Sequence, residues 1–394
     1  MVVGIVAEYN PFHNGHKLQI DYAKNVLGAS QVIIAMSGSF TQRGEIACYD
    51  KYTRANAALV SGADIILEIP TVFATSSARE FASAAVELLN STGIVDTLLF
   101  SGESDNLDLF MSAAIALADV ESREEFDYEI RTSMSAGLTF AEARAKAFSF
   151  HVPAEILKSP NNILGLEYCH YIYTHKLKMN VEVMKRVDNN YNQTKLSGDI
   201  SSASAIRANY IQNKCLVAVP KKTEAIYSKS TFIDCDDISQ MLHYKLISDD
   251  DFVKYSDCSR ELNDRIKNNI KNYISFNQFC DLLKTKNITH SRISRVLCHI
   301  LLGITTKDFE EAKSNNYITY SRMLGFSQNG SQILADIKKN GSVPLITEPN
   351  NLINKFDIIS SDILRAVVTD KTNKGYANEY TRRFNLININ DETV

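Results

Sequence analysis

The sequence lacks any apolar run approaching the roughly 18–20 residues that a membrane span requires. Its first residues, MVVGIV, have neither the basic start nor the long apolar stretch of a secretory signal peptide. We therefore expect a soluble protein with no membrane contact and a cytoplasmic location.

Cysteine is scarce and dispersed along the chain. The seven cysteines are odd in number, and no two of them form a CxxC pair. They are Cys48, Cys169, Cys215, Cys235, Cys258, Cys280 and Cys298. This spacing disfavours both a disulfide framework and a cysteine-rich zinc site, and it is typical of a reducing compartment.

The composition has no bias towards disordered, collagen-like or coiled-coil sequences. Of 394 residues, 45% are hydrophobic and 22% are charged, close to the average for globular proteins. A chain of this length has room for two or three domains.

Neither sign of charge dominates the whole chain, whose formal charge is −4, but its two parts differ. Residues 251–394 contain 20 Lys and Arg and 16 Asp and Glu. Residues 1–250 contain 22 Lys and Arg and 30 Asp and Glu. The basic excess could serve contact with a polyanion such as RNA, or it could be ordinary solvated charge.

Short β-rich runs alternate with helical patterns over the first 215 residues. This alternation predicts a doubly wound α/β domain built on a parallel sheet. The predicted strands are residues 2–8, 31–36, 64–69, 96–101 and 181–187, and the predicted helices are residues 17–27, 50–61, 77–89 and 106–118. Residues 122–175 read as mostly helical, and the polar stretch 188–199 is a candidate functional loop.

Beyond residue 215 the pattern changes to amphipathic helices with Asn- and Ser-rich joints. A second, mainly helical domain is therefore expected over residues 216–394. Its predicted helices include residues 251–271, 275–286, 291–302 and 328–340.

The first strand-to-helix turn is the expected ligand-binding site, since ligands of open α/β sheets bind beyond the carboxyl ends of the strands. It reads EYNPFHNGH (residues 8–16), which is neither the glycine-rich dinucleotide fingerprint nor a P-loop. Backbone N–H groups at a helix N-terminus favour an anion, Gly15 permits close approach, and His13 and His16 can donate to phosphate oxygens.

HNGH at this position resembles the HxGH motif of the nucleotidyltransferase superfamily, whose members cleave ATP between the α- and β-phosphates. A second superfamily motif, S[ST]xxIR, is similar to SASAIR at residues 202–207. Ser204 and Arg207 are thus candidate phosphate ligands, although an ordinary helix N-cap would look the same.

The resemblance extends to one family, the bacterial tRNA(Met) cytidine acetate ligases. It is carried by YNPFHNGH (residues 9–16), MSGSFTQRGE (36–45), SGES (101–104), SPNNILG (159–165) and SASAIR (202–207), in family order. It implies a two-step reaction in which acetate and ATP give acetyl-adenylate and pyrophosphate. The acetyl group then passes to the exocyclic amine of the wobble cytidine in elongator tRNA(Met).

The resemblance also implies the site residues. His13 and His16 are expected to be catalytic, and Mg²⁺ is expected to be held by the nucleotide phosphates rather than by a dedicated set of protein ligands. The implied ATP-binding residues are Val6, Ala7, Glu8, Tyr9, Asn10, Pro11, Phe12, His13, Asn14, Gly15, His16, Lys17, Leu18, Gln19, Gly102, Asn162, Arg186 and Val187.

Ionised acetate is already a nucleophile, so the first step requires positioning and charge stabilisation rather than a general base. In the second step an amine proton must be accepted. Glu8 and Asp64 are candidates for that role, but the pattern favours a structural role for each.

Basic side chains beside the site and in the second domain could face tRNA, or could be solvated surface charge. Near the site these residues are Arg43, Lys51 and Arg54, together with the uncharged Gln42. In the second domain they are Arg292, Arg295 and His299 on one helix, Lys338 and Lys339, and Arg382 and Arg383 beside Tyr380 and Phe384.

Two other functions stay open from the residues alone. A small-molecule adenylyl- or cytidylyltransferase would share HNGH, and a non-catalytic nucleotide- or RNA-binding module would share the fold. The sequence predicts no oligomeric state.

Overall fold

The computed structural model describes residues 1–136, 138, 143, 146–148, 152–157, 159–186, 200–348, 350–375, 377–381 and 385–387. No helix within these ranges has the length and apolarity needed to cross a membrane.

One mixed sheet organises the described residues. Its strands are β1 (Val2–Ala7), β2 (Gln31–Ser37), β3 (Ile65–Ile69), β4 (Thr97–Gly102), β5 (Asn180–Lys185), β6 (Ser321–Ser327), β7 (Leu345–Ile346) and β8 (Asn385–Ile387). They run in the order β5-β4-β1-β2-β3-β6-β7, with β8 beside β6. The first five are parallel to one another, so their carboxyl ends lie along one edge of the sheet.

Helices surround this sheet. Those of the described residues are α1 (Asn14–Asn25), α2 (Lys51–Val60), α3 (Thr71–Ala74), α4 (Ala78–Asn90), α5 (Leu107–Glu121), α6 (Glu124–Ser135), α7 (Ala154–Leu157), α8 (Pro160–Thr174), α9 (Ala203–Asn213), α10 (Lys221–Ser228), α11 (Ser239–Ser248), α12 (Arg260–Asn269), α13 (Phe276–Leu283), α14 (His290–Leu302), α15 (Thr306–Ser314), α16 (Gln328–Ser331), α17 (Leu334–Asn340) and α18 (Lys355–Thr372). Short 3₁₀ turns occupy Cys235–Ile238 and Ile270–Asn272.

Strand β2 shows why the sheet is covered on both faces. Ile33 and Ala35 belong to one hydrophobic cluster, while Val32, Ile34 and Met36 belong to another. Successive side chains of a strand point to opposite faces, so a strand that is apolar throughout needs helices on both sides. Helices α4, α5 and α8 contribute to the first cluster, and α1 and α2 to the second. The predicted doubly wound α/β fold is confirmed.

The sheet extends further than the sequence predicted. Strand β6 lies antiparallel to β3, and β7 and β8 both run parallel to β6. A region expected to be mainly helical thus supplies three strands to the sheet of the first 215 residues. The predicted helix 251–271 begins only at Arg260, and the predicted helix 328–340 is divided into α16 and α17.

A buried ionic cluster joins β6 to the sheet. Lys51 is 2% exposed, and its Nζ lies 2.7 Å from Glu68 Oε1 and 2.9 Å from Glu379 Oε1. Arg322 on β6 pairs with the same two carboxylates, and the Tyr52 hydroxyl donates to Glu379 at 2.9 Å. The interpretation of Lys51 as part of a tRNA-facing edge is therefore wrong, because its charge is neutralised inside the protein.

The same interpretation is wrong for Arg54, which is fully buried. Its guanidinium satisfies backbone carbonyls at the carboxyl ends of β1 and β2, where strand C=O groups have no ladder partner. The acceptors are the carbonyl oxygens of Glu8, Ser37, Gly38 and Tyr49. Arg54 thus holds the loops around the site and presents no charge to a ligand.

Candidate active site

Helix α1 begins at the HNGH turn with a reciprocal cap. His13 is the N-cap residue, and its Nδ1 accepts a hydrogen bond from the Gly15 N–H at 3.1 Å. The Nδ1 of His16 accepts in turn from the His13 N–H at 3.3 Å. The two rings stack with their centroids 3.6 Å apart. Two backbone donors of the first helical turn are thereby satisfied by imidazoles instead of the usual hydroxyl or carboxylate.

This cap fixes the protonation of both histidines. A neutral imidazole whose Nδ1 accepts a hydrogen bond carries its proton on Nε2. Burial lowers the pKa of His13 to about 3, and the charge of Arg186 acts in the same direction. Burial also lowers the pKa of His16 well below its ordinary value, with further contributions from His13 and Arg186. Both side chains are therefore neutral Nε2–H donors at pH 7.

Helix α9 begins beside the same turn. The Ser202 hydroxyl caps it by accepting from the Ala205 N–H at 3.2 Å. Arg207 donates to the Asn10 carbonyl at 2.8 Å and to Glu45 Oε2 at 2.9 Å. Its guanidinium therefore connects α9 to the turn after β1. The N-termini of α1 and α9 thus lie beside each other at this turn.

A cavity of about 220 Å³ lies between these two helix starts, at the carboxyl edge of the sheet. Its wall is formed by Val6, Ala7, Glu8, Tyr9, Asn10, His13, Gly15, His16, Leu18, Gln19, Gln42, Arg43, Glu45, Phe81, Phe100, Ser101, Asn161, Leu164, Tyr168, Met184, Arg186, Ile200, Ser201, Ser202, Ala203, Ser204 and Arg207. This wall combines backbone donors, imidazoles and arginines with aromatic side chains, as a nucleotide site requires.

Most of the predicted ATP-binding segment, residues 6–19, lines this cavity, as do Ser204, Arg207 and Arg186. Pro11, Phe12, Asn14 and Lys17 lie outside its wall. Phe12 is fully buried in the core, and Lys17 pairs with Asp21 at 2.7 Å on the helix surface. Val187 lies outside the described residues.

Gly102 and Asn162 are placed behind the wall rather than in it. The Asn162 side chain accepts from the Glu103 N–H at 2.9 Å and donates to the Glu155 carbonyl at 3.3 Å. A Cβ on Gly102 would come within 2.8 Å of the Ser104 carbonyl oxygen and 3.0 Å of Asn162 Oδ1. These two residues thus shape the loop after β4, while Asn161 lines the cavity.

Sequence reasoning missed the aromatic and apolar part of the wall. Phe100 and Met184 lie near the carboxyl ends of β4 and β5, Leu164 and Tyr168 share one face of α8, and Phe81 lies on α4. The available signal, a place near the carboxyl end of a predicted strand, applied to Phe100 and Met184. Their apolar character made them indistinguishable from core residues.

The loop after β2 connects the cavity to the helical region. Gly44 has a φ of +74°, and a Cβ there would lie 2.5 Å from the Cα of Arg295 on α14. Gln42 and Arg43 of this loop line the cavity. A position of this kind accepts only glycine, since both the backbone conformation and the close contact exclude a side chain.

Several other candidates have structural partners. Asp64 is buried, and its Oδ2 accepts from the Val32 N–H at 2.8 Å and lies 3.0 Å from Lys24 Nζ. Asp64 precedes β3 and so lies at the edge of the sheet away from the cavity, which makes its candidacy as proton acceptor wrong. His299 is buried between Ser256 and Thr75, so it cannot face tRNA.

Of the remaining predicted tRNA contacts, some are ion-paired within the protein and others are exposed. Arg292 and Arg295 both pair with Asp257, whereas Lys338 and Lys339 are exposed at the end of α17. Tyr380 is 55% exposed. Arg382, Arg383 and Phe384 lie outside the described residues.

A capped HxGH turn at the carboxyl edge of a parallel sheet defines a nucleotidyltransferase of the HIGH class, and the HIGH Nucleotidyl Transferase family model matches residues 1–381. The chain is 37% identical over 384 residues to the tRNA(Met) cytidine acetate ligase of Clostridium acetobutylicum, covering 92% of this chain and 93% of the relative. It is 34% identical over 380 residues to that of Clostridium perfringens, covering 92% of each. The chain belongs to the tRNA(Met) cytidine acetate ligase family.

Solved structures agree with this assignment. Thermotoga maritima TmcAL without ligand is 28% identical, with a TM-score of 0.87 and coverage of 98% of this chain and 99% of that one. The same protein bound with alpha-thio ATP is 26% identical, with a TM-score of 0.84 and the same coverage.

Proposed function

We propose that this chain activates acetate with ATP as acetyl-adenylate, releasing pyrophosphate, and acetylates the wobble cytidine of elongator tRNA(Met). Membership in the ligase family and the names of its relatives support this activity. The observation that carries the proposal is the pair of neutral Nε2–H donors, His13 and His16, beside the N-terminus of α9 in one cavity.

ATP is proposed to lie along this cavity with its phosphates at the starts of α1 and α9. There Gly15 permits close approach, Ser204 is a candidate phosphate ligand, and backbone N–H groups and helix dipoles favour the negative charge. Arg186 then contributes its charge, and Gly102 and Asn162 are proposed to act from behind the wall, by shaping the loop after β4 at the nucleoside end. Contact of Val187 with ATP stays a prediction. The structural relative bound with alpha-thio ATP supports this ligand class.

In the first step an acetate oxygen attacks the α-phosphorus, and pyrophosphate leaves. Negative charge gathers on the phosphate oxygens as the phosphorus becomes crowded. The Nε2–H groups of His13 and His16 are proposed to donate to those oxygens. Because both rings are fixed by the helix cap, these donors need no reorganisation as the charge develops.

Mg²⁺ is proposed to accompany ATP, bound by the phosphates and water. Within the described ranges, no cluster of three or more His, Cys, Asp or Glu is arranged to hold a metal ion. The role of the ion would be to neutralise phosphate charge.

The second region is proposed to contact tRNA. Residues 251–394 carry an excess of four positive charges, which favours binding to a nucleic-acid backbone. Lys338, Lys339 and Tyr380 are its exposed candidates for phosphate contact and base stacking. The boundary at residue 215 stays a prediction, and β6 to β8 tie the region to the sheet.

Product analysis tests this function. The purified protein is incubated with ATP, Mg²⁺, isotopically labelled acetate and an elongator tRNA(Met) transcript, and the digested nucleosides are identified by mass spectrometry. We expect labelled acetylcytidine from this transcript and none from a matched transcript carrying uridine at the wobble position. EDTA is expected to stop the reaction. An unmodified transcript together with transfer of a nucleotidyl group to a small acceptor would favour a small-molecule nucleotidyltransferase instead.

A further inference from the structure

The sheet order gives the cavity two chemically different ends. On the β4 and β5 side of β1 the wall includes Phe100, Leu164 and Met184, which suit a purine ring. On the β2 side it includes Gln42 and Arg43 from the loop after that strand. The HNGH turn follows β1 between these ends. If the nucleotide base lies at the apolar end, the acceptor enters from the β2 side.

Glu8 follows β1 and is fixed towards the β2 side. Its Oε1 accepts a hydrogen bond from the Gln42 N–H at 2.7 Å, and this is the only hydrogen bond to its carboxylate from the described residues. The nearby Arg207 is paired with Glu45. The carboxylate therefore has a defined orientation and keeps acceptor capacity for a ligand.

A carboxylate in a cavity that binds anions repels those ligands. ATP and acetate are both negatively charged, so Glu8 opposes the binding of each unless it serves another group. On the proposed function, the third reactant presents an exocyclic amine, which is a hydrogen-bond donor. Carboxylates accept from this amine when proteins recognise cytosine.

We propose that Glu8 binds the exocyclic amine of the acceptor cytidine and takes its proton during acetyl transfer. This inference rests on the proposed function. The amine nitrogen forms a bond to the acetyl carbonyl carbon, and the bond from that carbon to the phosphate oxygen breaks. AMP leaves with the electron pair of that bond. One amine proton passes to the Glu8 carboxylate, which balances the step.

The surroundings of Glu8 suit a base. Burial raises the pKa of its carboxyl, while the Gln42 hydrogen bond and the charge of Arg43 limit the rise. The charge of Glu45 on the same loop raises the pKa of Glu8 further, and the charge of Arg207 on α9 lowers it. Tyr168 of α8 lines the same cavity and is influenced by the charge of Glu8, and burial keeps its hydroxyl protonated by raising its pKa. A carboxylate of raised pKa accepts a proton more readily than an ordinary one.

Glu8→Gln separates the two half-reactions. The first is measured as acetate-dependent exchange of pyrophosphate into ATP, and the second as transfer from preformed acetyl-adenylate to tRNA(Met) in a single turnover. We expect the loss of transfer in this variant to exceed any loss of exchange by about 100-fold or more, the usual contribution of a positioned base. The exchange that the variant retains also shows that it is folded. Glu8→Asp is expected to recover part of the transfer rate, with an altered pH profile.

Glu45→Gln is the matched comparison, because it removes a second carboxylate from the same wall. It releases Arg207, so we expect both half-reactions to fall together. Unchanged transfer in Glu8→Gln would overturn the inference, and so would parallel loss of exchange and transfer, which would assign Glu8 to ATP or acetate. Absence of acetate-dependent exchange in the wild-type protein would instead overturn the proposed function itself.

Discussion

Replacement of His16 by alanine is expected to lower acetate-dependent exchange of pyrophosphate into ATP by about 100- to 1,000-fold, the loss typical of removing one charge-stabilising donor. The Nε2–H of His16 is held by a cap in which its Nδ1 accepts from the His13 N–H. Alanine removes both the donor and the cap. The exchange rate with saturating ATP and acetate measures the combined effect.

Two further variants separate the donor from the cap. Asparagine can place an oxygen near the position of Nδ1 and keep the cap, whereas glutamine can place an N–H near the position of Nε2. We expect His16→Gln to retain more exchange than His16→Asn. His290→Ala, at the partly exposed start of α14 and outside the cavity wall, is the matched histidine control and should exchange like the wild type. Equal rates in His16→Asn and the wild type would contradict a donor role.

The largest loss of stability is expected from Arg322→Met. Arg322 is buried between Glu68 and Glu379 on the strand that extends the sheet. Although burial alone would raise the pKa of Glu379, the charges of Lys51 and Arg322 bring it down to about 2, so this carboxylate is ionised in the native state. Removing one member of such a cluster leaves an uncompensated buried charge and costs about 3–5 kcal/mol of the free energy of unfolding.

Urea unfolding followed by circular dichroism measures this change. Lys185→Met is the matched control, because Lys185 forms an exposed pair with Asp105 at 3.8 Å. Its loss should change the free energy of unfolding by less than about 1 kcal/mol. Equal effects of the two substitutions would contradict the burial of the cluster and the placement of β6 within the sheet.

The parallel part of the fold and the position of the site were predictable from local patterns. The alternation of buried strands with helices located β1 to β5 within a few residues. This was possible because the hydrophobic patterns of a strand and of a helix both repeat within a few residues. HNGH marked the start of α1, since its residues act within one helical turn. Residues 9–16 also carried the resemblance to the ligase family, which the comparisons confirm.

What the sequence did not predict depends on contacts between distant segments. Lys51 and Arg54 were interpreted as tRNA-facing or solvated charge because their partners belong to other segments of the chain. Lys51 pairs with Glu379, and Arg54 donates to the Glu8 carbonyl. Strand β6 pairs with β3, which lies much earlier in the chain. Phe100 and Tyr168 join one wall only when β4 and α8 are packed together. The hydrophobic periodicity of a short segment does not show which distant segments it contacts.

The most direct test of the account is exchange of labelled pyrophosphate into ATP by the purified wild-type protein, with and without acetate and with and without tRNA(Met). We predict exchange that requires acetate and that falls by about 100-fold or more in His16→Ala. Exchange independent of acetate, or none with acetate and tRNA(Met) both present, would contradict formation of acetyl-adenylate at the HNGH turn.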